Sequence, residues 1–274
     1  VKRKHSPRAS IGIFRERGIS MASSLYQLAE CGFAPPAQAL AAGQPCLVLA
    51  SRFAMPEGLP APLASEQSAA AHFRDAAQAE GFLLRRRITR GIVARAFGRA
   101  PDEMTITPDS KGKPVLQGAG LALHLSFGAH GEVALIGIAH QPIGVDLEGE
   151  IAPEALPLNI LRQDERAALL ALPYAERGPA FLTLWTLKEA VVKALGCGFS
   201  VPPEAVHLPL SWLAAKVSPG GFHEIPVIGG DMILTAHPIQ VLCYERPVMP
   251  LRGMAHGPQK TGLCIAALLL GRMA

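Results

Sequence analysis

Aromatic side chains make up only 5% of this 274-residue chain. Its five cysteines, Cys31, Cys46, Cys197, Cys243 and Cys264, are odd in number and far apart, with no C-x-x-C pair. That excludes a disulfide framework and a cysteine-held zinc site, and it fits a reducing compartment, so a cytoplasmic location is expected. Long apolar runs are missing too. "GLCIAALLLG" near the C-terminus is about half the length a membrane-spanning helix needs, and no membrane segment is expected. With so few aromatics, and neither an RNA-binding platform nor a DNA-reading motif, no nucleic-acid partner is expected. There is no H-E-x-x-H, no Walker sequence, no G-x-S-x-G elbow and no dinucleotide fingerprint, which removes the enzyme classes those motifs mark.

A hydrophobic fraction of 49% supplies a large core, enough for one large domain or two ordinary ones. The net charge of +4 and sequence pI near 8.9 mildly favour anionic partners such as phosphates or an acidic protein surface. The basic opening "VKRKHSPRASIGIFRERG" lacks the apolar core and cleavage site of a secretory signal. Residues 1–20 are expected to be a disordered extension ahead of Met21.

Periodicity and Pro/Gly punctuation divide the rest. "PCLVLASRF" predicts a strand, and Ala64 to Gly98 predicts one helix broken near Gly81, or two helices. "MTITP", "LALHLSF" and "EVALIGIA" predict strands, with a Gly-Lys-Pro turn at Gly112 to Pro114 between the first two. Further on, "IGVDLE" reads as a strand, followed by helices around Arg162 to Leu172 and Gly178 to Leu195, the latter stopped by Gly196. "AVHLPL", "EIPVIGG", "MILTAH", "IQVLCYE" and "GLCIAALLL" are short and β-like. The expectation is an α+β protein of two comparable units, residues 21–140 and 141–274.

Chemistry concentrates in two places. In "IGVDLEGE", Asp146 and Glu148 sit two residues apart on a strand and so share one face, where their repulsion calls for a cation. In "LWTLKEAVVKALGCG", Trp185, Glu189 and Lys193 fall on one helical face with Lys188 at its edge. Each half has an ordinary reading, an exposed edge strand and an i,i+4 surface ion pair between Glu189 and Lys193. Together, three acids and nearby lysines make a site for a hard cation such as Mg²⁺ and for phosphate.

The pair "IGVDLE" and "LWTLKEAVVKALGCGFS" closely resembles the signatures of the Sfp-type 4′-phosphopantetheinyl transferases, with likeness also at "GKPVL", "GEVALIGIAHQPIG" and "GLCIAALLL". The resemblance covers roughly Ser65 to the C-terminus. It implies two similar α/β halves related by a pseudo-twofold, with coenzyme A in the cleft between them, in a monomer. The implied activity is Mg²⁺-dependent transfer of the phosphopantetheine arm of coenzyme A to a serine of an acyl or peptidyl carrier protein, with 3′,5′-ADP leaving. By the same resemblance Asp146, Glu148 and Glu189 are the metal ligands, Lys193 neutralises the pyrophosphate, and Lys188, Lys113, Arg90 and His130 lie toward coenzyme A. Glu189 is also the candidate to accept the serine proton, making it catalytic with Lys193, and Arg86, an i,i+4 pair with Arg90, is expected to share a phosphate with it. Two positions depart from the family pattern. Ala129 stands where its histidine assists with the 3′-phosphate, with His130 one residue later, and Gly81 stands where an arginine is expected, with Arg85 to Arg87 one turn on. The rivals are a metal-dependent hydrolase of coenzyme A or a nucleotide pyrophosphate, and a non-enzymatic carrier-binding relative.

Overall fold

The computed structural model describes residues 24–118, 120–197, 200–213, 223–227, 232–247 and 260–270. The expected extension at residues 1–20 lies outside them.

Strands β1 (Ser24–Gln27), β2 (Cys46–Ser51), β3 (Thr105–Pro108), β4 (Pro114–Gln117), β5 (His124–His130) and β6 (Val133–Ala139) form one sheet in the order β1-β2-β6-β5-β4-β3. Only β1 and β2 run parallel; the other pairs are antiparallel. Strands β7 (Ile143–Gly149), β8 (His223–Val227), β9 (Met232–Pro247) and β10 (Lys260–Leu270) form an antiparallel second sheet in the order β7-β10-β9-β8. Helices α1 (Leu28–Cys31), α2 (Ala34–Ala41), α3 (Ala64–Ala70) and α4 (Ala76–Phe97) accompany the first sheet, and α5 (Gln163–Ala171) and α6 (Arg177–Leu195) the second. The chain is a mixed α+β protein, and no helix among the described residues is long and apolar enough to cross a membrane.

Alternation along the strands sets the layers. Val48, Ile136 and Ile138 on one face of the first sheet pack against Ile88 and Ile92 of α4. Leu47, Leu135 and Ala139 on the other face pack against Ile143, Val145 and Leu147 of β7. The remaining face of β7 meets α6: a Cβ added to Gly144 would lie 1.7 Å from the Ala190 carbonyl oxygen. The order is therefore helix, sheet, sheet, helix, with β7 between the two sheets' cores. Gly128 of β5 lets the β7 backbone cross closely, since a Cβ there would stand 3.1 Å from Leu147 N. Ser126 Oγ accepts from Val145 N at 3.0 Å, satisfying a donor that β7 would otherwise bury.

Of the two alternatives for residues 64–98, the structure has two helices, and they part at residues 71–75 and not at Gly81. Asp75 caps α4 by accepting from Gln78 N at 2.9 Å, and a capped start fixes a boundary more firmly than one interior glycine. Two other expectations need correction. "AVHLPL" is no strand beyond a single bridge at Val206: Ala205 ends the 3₁₀ turn Pro203–Ala205, and Pro209 removes a donor and leads into the turn Leu210–Trp212. "MILTAH" and "IQVLCYE" belong to one strand, β9. Pro238 is tolerated there because β8 pairs β9 only as far as Ala236, and the register with β10 shifts between Ala267 and Leu268 beside it.

Gly144→Ala is expected to destabilise the fold by about 1–3 kcal/mol or more, since the intruding methyl meets backbone. Gly81→Ala, in the interior of α4 where only the end of a flexible side chain is near, should be neutral or mildly stabilising. Urea unfolding of both variants checks the contrast.

Candidate functional site

The β7 face that carries Gly144 also carries Asp146 and Glu148, so the close approach at Gly144 brings both acids against α6. Asp146 is 4% exposed, and its Oδ1 accepts from Lys193 Nζ at 2.5 Å. Its Oδ2 is buried with no hydrogen-bond partner. Glu148 is partly exposed; Oε1 accepts from Trp185 Nε1 at 3.1 Å, and Oε2 lies 4.0 Å from His130 Nδ1. Trp185 and Lys193 are two turns apart on α6, and Glu189 lies midway between them. Among the described residues Glu189 has no hydrogen-bond or ion-pair partner.

Electrostatics tie the three acids together. Burial pushes the Glu148 carboxyl above the ordinary range, the nearby Asp146 adds to this, and Trp185, His130 and Lys193 oppose it. Burial likewise raises Glu189; Lys193 opposes the rise, while Asp146 and Glu148 add to it. Each of these two acids thus feels the other and Asp146. No group of three His, Cys, Asp or Glu among the described residues is drawn together closely enough to hold a metal ion outright. The donor set nevertheless suits a hard cation: an orphaned carboxylate oxygen at Asp146 and two neighbours whose ionisation their mutual repulsion disfavours. Lys193 is the cation on Asp146, so in place of a Glu189–Lys193 surface pair there is an Asp146–Lys193 contact across two elements.

His130 closes one side of the site. Its ring lies over Gly149, where a Cβ would meet Nε2, so it faces Glu148 across the end of β7. Lys113 stands on another side. Asp109 accepts from Lys111 N and Lys113 N at 2.8 and 2.9 Å, shaping the Gly-Lys-Pro turn. The turn aims Lys113 Nζ at the C-terminus of α6, where it donates to Ala194 O at 2.6 Å and Lys193 O at 3.1 Å. A cation at a helix C-terminus is favourable, and this contact joins the first sheet's β3–β4 turn to the helix that carries Glu189.

Lys188 and Arg90 are placed elsewhere. Lys188 and Glu165 are both 0% exposed and pair at 2.8 Å. Lys188 also donates to Pro203 O at 2.9 Å and Val206 O at 2.8 Å, and Glu165 caps α5 by accepting from Arg162 N at 3.0 Å. The expectation that Lys188 faces coenzyme A is corrected to that of a buried strut binding α5, α6 and the segment after α6. Arg90, 1% exposed, pairs with Glu66 at 2.8 Å and donates to Ala61 O and Pro101 O. It fastens α4 to α3 and does not present its guanidinium to a ligand. Arg86 is 9% exposed and stacks on Phe82, 3.4 Å from the ring centroid. Burial, with the neighbouring Arg85 charge, pushes its guanidinium down to about 10, against an opposing influence of Glu66. Arg86 and Arg90 therefore do not share a phosphate.

Residues 142–218 match the 4′-phosphopantetheinyl transferase superfamily. The chain is 26% identical over 191 residues to 4′-phosphopantetheinyl transferase psf-1 of Bacillus pumilus, covering 66% of this chain and 78% of that protein. It is 31% identical over 127 residues to HetI of Nostoc sp. strain PCC 7120, and 26% identical over 117 residues to Sfp of Bacillus subtilis, each described as a 4′-phosphopantetheinyl transferase. The chain spans about half the length of those last two, 53% and 51%. Over residues 142–218 the chain is similar to the 4′-phosphopantetheinyl transferase superfamily. The matched superfamily segment contains β7, α5 and α6, and with them Asp146, Glu148, Glu189 and Lys193.

Two participants escaped the sequence reading. Glu165 looked like one more acid on an exposed helix, and only its position three residues after Arg162 hinted at a cap. Trp185 was assigned to the face of Glu189, but its hydrogen bond to Glu148 needed the two elements to be juxtaposed. Lys188→Met is expected to cost about 3–5 kcal/mol by stranding Glu165, with Lys188→Met/Glu165→Leu less destabilised than the single variant. Urea midpoints of the two variants test this.

Proposed function

We propose that this chain transfers the 4′-phosphopantetheine arm of coenzyme A to a serine of an acyl or peptidyl carrier protein. The observation that carries the reading is the Asp146, Glu148, Glu189 and Lys193 constellation formed where β7 meets α6, inside the segment that matches the superfamily. We also propose that the two α/β halves are related by a pseudo-twofold, with coenzyme A lying between them.

Asp146, Glu148 and Glu189 would hold Mg²⁺, a hard cation that favours carboxylate and phosphate oxygens and draws charge from a pyrophosphate. Lys193 is poised beside them. Its ammonium, held against Asp146, would face the phosphate charge that grows on the leaving side, and such stabilisation of developing charge dominates phosphoryl chemistry. The carrier serine oxygen forms a bond to the β-phosphorus of coenzyme A, the bond from that phosphorus to the bridging oxygen breaks, and 3′,5′-ADP leaves. Glu189 accepts the serine proton, a role suited to a carboxylate whose proton affinity burial raises against the opposing charge of Lys193. Trp185 fixes the Glu148 carboxylate through Nε1. Lys188 and Glu165 hold α6 and the following segment in place, so their contribution is positioning.

Intact mass of an apo carrier incubated with the protein, coenzyme A and Mg²⁺ should rise by the mass of the phosphopantetheine arm. Asp146→Ala and Glu189→Gln should each lower the rate by about a hundredfold or more. Full turnover in Glu189→Gln would overturn its assignment, and release of 3′,5′-ADP without a modified carrier would mean a hydrolase.

The raised carboxylates give a second test that needs no turnover. Their folded-state pKa values lie above the unfolded ones, so the protein loses stability as pH rises from the ordinary carboxylate range through the raised values. Bound Mg²⁺ offsets that loss. The Mg²⁺-induced rise in Tm should be larger at neutral pH than at a pH below the carboxylate range, and absent in Asp146→Ala.

A further inference from the structure

The β5–β6 hairpin separates two environments. Ala129, Gly131 and Glu132 line a cavity of about 460 Å³ against the start of α4, and His130, between the first two, does not. Successive side chains on a strand leave by opposite faces, and His130 turns to β7. Its ring occupies the space that a Cβ on Gly149 would fill. Its Nδ1 stands 4.0 Å from Glu148 Oε2.

Trp185 Nε1 donates to the other oxygen of Glu148, Oε1, so the oxygen turned to His130 is the one that α6 does not hold. A gap of 4.0 Å is too wide for a hydrogen bond. It lies within the span of two donor atoms that share one ion, each about 2.0–2.2 Å from it. On the same face of β7, Asp146 is 4% exposed and its Oδ2 has no hydrogen-bond partner. Neutral imidazole binds metals through either ring nitrogen. The His130 side chain is half exposed, so the ring can close on an ion without unpacking the core. Gly149 admits it, because any side chain there would push the ring off the strand.

We infer that His130 is a nitrogen ligand of the cation held by the β7 acids, and that this site therefore favours a divalent transition ion such as Co²⁺ over Mg²⁺. The inference rests on the cation reading above and adds to it a fourth side chain and a metal preference. Mg²⁺ is a hard ion that takes oxygen ligands. A mixed set of carboxylates and imidazole suits ions further along the first transition row. The placement of His130 toward Glu148, rather than in the wall of the cavity, is what gives this chain the mixed set.

Electron spin echo envelope modulation of the untagged full chain loaded with Mn²⁺ tests the ligand without turnover. Coenzyme A is left out, because its ring nitrogens would add signals of their own. The wild-type protein should show the nitrogen modulation of a bound imidazole, and His130→Gln should lose it while still binding the ion. Gly149→Ala, which keeps the imidazole but fills its place, should lose it too. By calorimetry, His130→Gln should weaken Co²⁺ binding about tenfold or more, the range that disturbing a metal's protein shell costs, and leave Mg²⁺ binding little changed. Bound Mn²⁺ without nitrogen modulation, or modulation that survives in His130→Gln, overturns the ligand and leaves the acidic site standing. A wild-type chain that binds no Mn²⁺ overturns the cation reading and this assignment with it.

Discussion

The contact between Lys193 and Asp146 is the interaction on which the rest of the site depends. Three carboxylates approach where β7 crosses α6, and burial amplifies their repulsion because the surroundings screen charge less than water does. One ammonium answers one of them. Asp146 Oδ2 remains orphaned in the interior, and a fold keeps such a buried acceptor only where something supplies its partner. The remaining demand is for a further cation, and the backbone is arranged around creating it: Gly144 and Gly128 allow β7 to lie closely between α6 and β5.

Buried ion pairs elsewhere do different work. Arg90 with Glu66 and Lys188 with Glu165 are closed off from solvent, and each ties helices together; the buried Glu165 Oε1 has the Lys188 ammonium 2.8 Å away but no hydrogen bond. Arg85 and Glu189, by contrast, are left without partners among the described residues on two sides of the hairpin end at His130. Charges with partners hold the frame, and we propose that Glu189, which has none among the described residues, faces a bound cation.

Much of this was legible in the sequence. The i, i+2 spacing of Asp146 and Glu148 on an alternating strand, and the i, i+4 spacing through Trp185, Glu189 and Lys193, are local facts that the periodicities of strand and helix preserve. The stop at Gly196 and most strands followed in the same way. What failed was whatever depended on partners distant in sequence. The wheel puts Lys193 on the Glu189 face and Lys188 at its edge, but not their partners: Glu165 and two carbonyls after α6 draw Lys188 inward while Asp146 takes Lys193. Arg86 and Arg90 share spacing and not surroundings, since Glu66 captures one and Phe82 the other. The capped start at Asp75 outranked the glycine at 81 for a related reason: Gly81 serves the space around Arg85 rather than a helix boundary.

The central claim is that the β7 acids and Glu189 together form one cation site that is short of positive charge. Counting bound Mn²⁺ by electron paramagnetic resonance, in the presence of coenzyme A, tests it most directly. One ion per chain, lost in Asp146→Asn and weakened in Glu148→Gln and Glu189→Gln, is the result expected. Undiminished binding in all three variants would contradict the account.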